Sequence, residues 1–127
     1  MNDCVVDSSV ILTIIRREPG QAQAKAVLPG SVLSAVNLSE VVAKLGDQGV
    51  GSGDIRQILV QFPCTIVSFD EEQAFTAGAL RAATAHKGLS LGDRACLALA
   101  LHRRLPAWTA DRAWTGLELG VDVRLIR

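Results

Sequence analysis

The chain has 127 residues, 49% of them apolar, with 13 Lys and Arg balanced by 13 Asp and Glu. That is enough chain for one domain with a sizeable core, and the composition is too apolar for a disordered or low-complexity segment. A net charge of zero gives no global attraction to nucleic acid or membrane, so any such partner has to be argued from local clusters.

The opening stretch from Asn2 to Leu12 organises the rest. Cys4-Val5-Val6 reads as a short buried strand that ends on Asp7 and turns at once into a helix with an apolar face of Val10, Ile11, Ile14 and Ile15. A carboxylate at such a junction sits at the carboxyl edge of a sheet, where open α/β folds place their ligands. Arg16-Arg17-Glu18 closes the helix and Pro19-Gly20 breaks it. Residues 21–28 predict a short alanine-rich helix, and Ser31-Val32-Leu33-Ser34 a second strand. Asn37-Leu38-Ser39-Glu40 opens a helix whose stripe is Leu38, Val41, Val42 and Leu45.

After a glycine-rich break over residues 46–53, Ile55, Ile58, Leu59 and Phe62 repeat that stripe until Pro63. Thr65-Ile66-Val67 predicts a third strand. Asp70 to Gln73 caps a long helix of small residues that ends at His86-Lys87-Gly88. Ser90-Leu91-Gly92-Asp93 opens a helix apolar nearly all round, hence buried. Pro106-Ala107-Trp108-Thr109 is a short strand, Ala110-Asp111-Arg112 a turn, and residues 121–125 alternate as an edge strand. Strands separated by helices imply one domain over residues 1–127, with a mostly parallel sheet covered by helices on both faces.

Cys4, Cys64 and Cys96 lie in apolar stretches with no C-x-x-C spacing, which predicts buried, reduced thiols and a reducing cytoplasm. The N-terminus, with an acid before its apolar run, does not read as a signal peptide, and no apolar run is long enough to span a bilayer.

Four acids fall at equivalent positions: Asp7 after the first strand, Glu40 in the helix after the second, Asp93 in the first turn of the buried helix, and Asp111 after the fourth strand. Singly, each has a structural reading. Asp7 is a good N-cap, Asn37-x-x-Glu40 and Ser90-x-x-Asp93 look like capping boxes, and Asp111 can hold a turn. Together, clustered carboxylates repel and raise one another's pKa unless a cation neutralises them. An oxygen-only set suits Mg²⁺ or Mn²⁺, and one or two such ions can activate a water and stabilise the entering and leaving oxygens of a phosphodiester displacement. Ser9 and Thr109, two residues from Asp7 and Asp111, carry hydroxyls able to orient these groups.

Val5-Val6-Asp7-Ser8-Ser9, Asn37-Leu38-Ser39-Glu40-Val41, Leu89-Ser90-Leu91-Gly92-Asp93 and Thr109-Ala110-Asp111 occur in this order along the whole chain. In their order and spacing the chain resembles the PIN-domain ribonucleases, and among them the VapC-type toxins of bacterial toxin–antitoxin pairs. The resemblance implies a three-layer α/β/α fold with sheet order 3-2-1-4-5. It also implies an acidic metal site of Asp7, Glu40, Asp93 and Asp111, with Ser9 and Thr109 as the hydroxyl positions beside it. Mg²⁺- or Mn²⁺-dependent cleavage of RNA, a homodimer and an antitoxin partner follow from the same resemblance.

Other residues are weighed beside these. Arg94 and Arg112 each follow a site acid and can hold RNA phosphate, or form a salt bridge instead. Trp108 is expected in the core, and Trp114 in a more open core or dimer position. The glycine-rich stretch lacks the order of a phosphate loop. The leading reading is an endoribonuclease leaving 5′-phosphate and 3′-hydroxyl ends, dimeric through residues 35–62. The alternative is a non-catalytic acidic α/β module that binds a cation or a protein.

Overall fold

The computed structural model describes residues 3–127. Met1 and Asn2, with which the opening stretch and the N-terminal reading begin, lie outside the described residues. Five strands form one sheet: β1 (Val5–Val6), β2 (Ser31–Ser34), β3 (Cys64–Val67), β4 (Ala107–Thr109) and β5 (Val123–Leu125). Their order is β3-β2-β1-β4-β5, and every pairing is parallel, as expected. The helices are α1 (Ser8–Ile15), α2 (Gln21–Val27), α3 (Ala35–Asp47), α4 (Ser52–Leu59), α5 (Glu71–Ala79), α6 (Arg81–Thr84) and α7 (Leu91–Arg103).

Alternation along the strands separates two cores. Val6 and Leu33, which are paired across β1 and β2, pack with Val10, Ile11, Val41, Leu45 and Ile55 from α1, α3 and α4. Val5 and Ala107, also paired, point the other way and pack with Cys96, Leu97, Leu99 and Ala100 of α7. The sheet is therefore the middle of three layers. Because α7 has its own sheet face and a nearly all-apolar sequence, residues 94 to 100 are buried on every side. Among the described residues no helix is long and apolar enough to cross a membrane.

Several local expectations change. The helix over residues 70–87 is jointed rather than continuous: Leu80, at φ −71° and ψ −14°, ends α5, α6 follows, and a 3₁₀ turn over Ala85–Lys87 completes it. Helix α3 starts at Ala35, because Ser34 at the end of β2 supplies the cap to the Val36 N–H. Asn37 is thus inside the first turn and is not the cap. Trp114 is fully buried and belongs to the α7 core, whereas Trp108 is half-buried beneath the Arg124 guanidinium.

The topology brings the candidate acids to one edge. Strands β1, β2 and β4 end at Val6, Ser34 and Thr109, just before or a few residues before Asp7, Glu40 and Asp111. Helix α7 leads into the start of the parallel strand β4, so its own first turn, with Asp93, returns to the same edge.

Candidate active site

Asp7 sits where β1 meets α1 and is only 3% exposed. Its extended backbone (φ −94°, ψ 178°) makes it the N-cap, and Oδ1 accepts from the N–H groups of Ser9 at 3.1 Å and Val10 at 3.4 Å. The Ser9 hydroxyl donates a short hydrogen bond to the same oxygen. Thr109 Oγ1, fully buried at the end of β4, donates to Asp7 Oδ2 at 2.8 Å. These hydroxyls also tie down the far side of the site: Ser9 Oγ accepts from the Ala110 N–H at 2.9 Å, and Thr109 Oγ1 accepts from the Asp111 N–H at 3.0 Å. Ser9 and Thr109 thus fix both the Asp7 carboxyl and the backbone that carries Asp111.

The other acids are held one by one. Glu40 Oε1 accepts from Ser8 Oγ at 3.1 Å and from Asn37 Nδ2 at 2.8 Å. Asp93 closes the expected capping box: its Oδ2 accepts from the Ser90 N–H at 2.9 Å while Ser90 Oγ accepts from the Asp93 N–H at 3.2 Å. Exposed Asp111 accepts the Ala113 N–H at 2.9 Å and caps a 3₁₀ turn over Arg112–Trp114. The capping readings of Asp7, Asp93 and Asp111 therefore hold in the structure.

The neighbouring charges act on the two more buried acids, Asp7 and Asp93. Burial pushes the Asp7 carboxyl up to about 7, against the hydrogen bonds from Ser9 and Thr109, and the charge of Asp93 adds to the rise. The Asp93 carboxyl is raised too, first by burial and then by Asp111 and Glu40, with the Ser90 bonds opposing. The Cys96 thiol, behind the site on α7, is pushed well up by burial and by the charges of Asp7, Asp93 and Glu40. No ion pair answers this charge: among the described residues the one ion pair is Arg124–Asp122, two exposed neighbours.

A divalent cation fits this donor set chemically. The donors are hard carboxylate and hydroxyl oxygens, and the buried charge of Asp7 has no counterion. Among the described residues no three His, Cys, Asp or Glu side chains are gathered closely enough to enclose one ion. An ion that keeps several of its waters needs only one or two carboxylates in direct contact.

The two candidate arginines diverge. Arg112 is exposed beside Asp111. Arg94 is 9% exposed and donates Nη1 to the Ala77 carbonyl at 2.9 Å, so its guanidinium serves the end of α5 rather than the acidic edge. Its place next to Asp93 in sequence is the reason: successive helix residues point about 100° apart. The sequence pairs Asn37 with Glu40 as a capping box, but gives no sign of Ser8 and Gly92 as contacts of Glu40, nor of Asn37 holding it by its side-chain amide. The polar Asn37 three residues before an acid was visible, but its partner on α7 is 55 positions away.

A family model described as PIN domain matches residues 4–117. Among solved structures, the chain is similar to a toxin–antitoxin complex from Klebsiella pneumoniae, at 20% identity, TM-score 0.76 and 98% coverage of both chains. It is also similar to DNA-bound VapBC from Salmonella typhimurium, at 18% identity, TM-score 0.72 and full coverage of both chains. A third is a sarcin–ricin-loop-cleaving VapC toxin from Mycobacterium tuberculosis, at 17% identity and TM-score 0.68, covering 96% of this chain and 99% of that one. At these identities the likeness establishes the fold. No curated protein matches the chain in sequence.

Proposed function

This chain belongs to the PIN-domain family, and on that footing we propose that it is a divalent-metal-dependent endoribonuclease, the VapC-type toxin of a toxin–antitoxin pair. One observation carries the reading: Asp7 is a buried carboxylate raised by burial and by Asp93, Asp93 is raised in turn by Asp111 and Glu40, and none of the four is in an ion pair among the described residues. Such an arrangement costs stability unless a cation is present, and structural caps alone need no charge, since Asn and Ser cap as well as Asp.

In this reading Asp7, Glu40, Asp93 and Asp111 hold Mg²⁺ or Mn²⁺. When bound, the ion supplies Lewis acidity that stabilises the entering and leaving oxygens of a phosphodiester. Ser9 and Thr109 keep both oxygens of Asp7 in fixed directions. Asp111, the exposed member, stands on the side from which a polynucleotide arrives, and Arg112 beside it is suited to a phosphate. Cleavage leaves a 5′-phosphate and a 3′-hydroxyl.

The proposed partners are RNA, a cognate antitoxin and a second copy of the chain, packed through residues 35–62, in the cytoplasm. The toxin–antitoxin complexes among the similar structures support the antitoxin, and the sarcin–ricin-loop-cleaving toxin supports RNA. The separate capping of three carboxylates favours the second reading, a non-catalytic cation- or protein-binding module. Incubating the purified protein with cellular RNA and Mn²⁺ separates the two. Cleavage that EDTA abolishes supports the nuclease; intact RNA under metal-replete conditions supports the module. Sedimentation at tens of micromolar should show a dimer, and a monomer alone would contradict the proposed interface.

A further inference from the structure

Glu40 is held by a device that none of the site roles above uses. Asn37, 1% exposed, spends both of its amide protons: Nδ2 donates to Glu40 Oε1 at 2.8 Å and to the Gly92 carbonyl at 3.0 Å. Its own Oδ1 is buried without a partner among the described residues. Leaving that acceptor unpaired is costly, so the side chain is retained for its donors. The opposite amide orientation would set an oxygen against two acceptors, which fixes the assignment by chemistry. From α1, the Ser8 hydroxyl adds a second bond to Glu40 Oε1 at 3.1 Å.

On the far side lies Gly92, buried in the first turn of α7 next to Asp93. A Cβ built there would overlap both oxygens and the carboxyl carbon of Glu40. Gly92 is not at positive φ, so no turn geometry calls for glycine. Glycine weakens a helix relative to alanine. The missing side chain makes room for the carboxylate.

We propose that Asn37 and Gly92 are positioning residues that clamp the Glu40 carboxylate flat against the first turn of α7, with Oε1 engaged and Oε2 left to face a cation. The clamp couples the starts of α1, α3 and α7 through one side chain, so the spacing between Glu40 and Asp93 is set by direct contact. Its metal-facing part rests on the nuclease reading; the clamp itself does not.

The experiment is a pair of double-mutant cycles on the whole chain, Gly92→Ala with Glu40→Ala and Asn37→Ala with Glu40→Ala. Each is read by urea unfolding in EDTA and by calorimetric titration with Mn²⁺. Without metal, Gly92→Ala should raise the urea midpoint less when Glu40 is present than when Glu40 is alanine, because the carboxylate fills the Cβ space and has to swing off its Asn37 and Ser8 bonds. Asn37→Ala should cost less in the Glu40→Ala background than alone. With metal, both single variants should weaken Mn²⁺ binding by roughly 10- to 100-fold, the usual effect of losing a group that orients a ligand, and neither should weaken it further once Glu40 is gone. Equal effects of Gly92→Ala or of Asn37→Ala in the two backgrounds would overturn the clamp. If the wild-type chain bound no Mn²⁺ and cut no RNA, the nuclease reading would fall while the metal-free cycles still decided the clamp.

Discussion

Replacing Asp7 by Asn should stabilise the metal-free protein at neutral and alkaline pH. The carboxyl is buried and raised from 3.8 to about 7, a difference of about 3 units, or about 4 kcal/mol at 1.36 kcal/mol per unit. The sign follows from linkage. A carboxyl whose folded value lies above its unfolded one contributes stability that is complete below about 4 and is lost as pH rises through about 7. The Asn amide keeps Oδ1 for the Ser9 and Val10 N–H groups, and Asn caps as well as Asp. Its Nδ2 faces Thr109 Oγ1, whose proton then has to find Ser9 Oγ at 3.4 Å, a loss of about 1 kcal/mol. The net gain at pH 8 is therefore about 2–3 kcal/mol, shrinking to nothing or slightly negative near pH 4. Urea unfolding in EDTA at pH 4, 6 and 8 reads it directly, and the difference between the two proteins leaves, of Asp93, only its coupling to Asp7. Mn²⁺ at a hundred times its dissociation constant should restore about 2.7 kcal/mol to the wild type and little to the variant. An Asp7→Asn protein less stable than wild type at pH 8 would refute the reasoning, since the charge would then be compensated and Asp7 would be a cap alone.

Three further outcomes are expected. Thr109→Val leaves Asp7 Oδ2 and the Asp111 N–H without their partner, and should cost about 1–3 kcal/mol in urea unfolding together with most of the cleavage activity. Ser90→Ala removes half of the α7 capping box and should cost about 1 kcal/mol in thermal or urea unfolding, with Asp93 still able to serve the site. Arg112→Ala should weaken RNA binding and lower the salt-dependence slope by about 1, whereas Arg94→Gln should leave that slope unchanged because Arg94 is turned into the α5 contact.

Most of the fold was legible because strand ends and helix stripes are local signals. The Val5-Val6-Asp7 junction, the second strand at Ser31–Ser34 and the Ser90–Asp93 capping box each stand where their spacing put them. The convergence of Asp7, Glu40 and Asp111 at one sheet edge follows from parallel strands sharing a direction. What was not legible depended on contacts between distant segments. Asn37 resembled the cap of a capping box, yet Ser34 took that position and freed Asn37 to reach Gly92. Gly92 looked like ordinary helix-start sequence until the Glu40 carboxylate was seen in the place of its side chain. Arg94 was grouped with Asp93 by adjacency, and helical rotation separates them. Trp114 follows an exposed turn in sequence, but the 3₁₀ turn capped by Asp111 swings its ring fully into the α7 core.

The most direct test of the central claim is a side-by-side cleavage assay of wild type and Asp7→Asn on the same RNA with Mn²⁺ or Mg²⁺, after circular dichroism has shown both to be folded. The expected result is EDTA-sensitive cutting by the wild type that leaves 5′-phosphate ends, and loss of that cutting in a variant at least as stable. Undiminished cutting by Asp7→Asn would contradict the assignment of the acidic edge as the catalytic metal site.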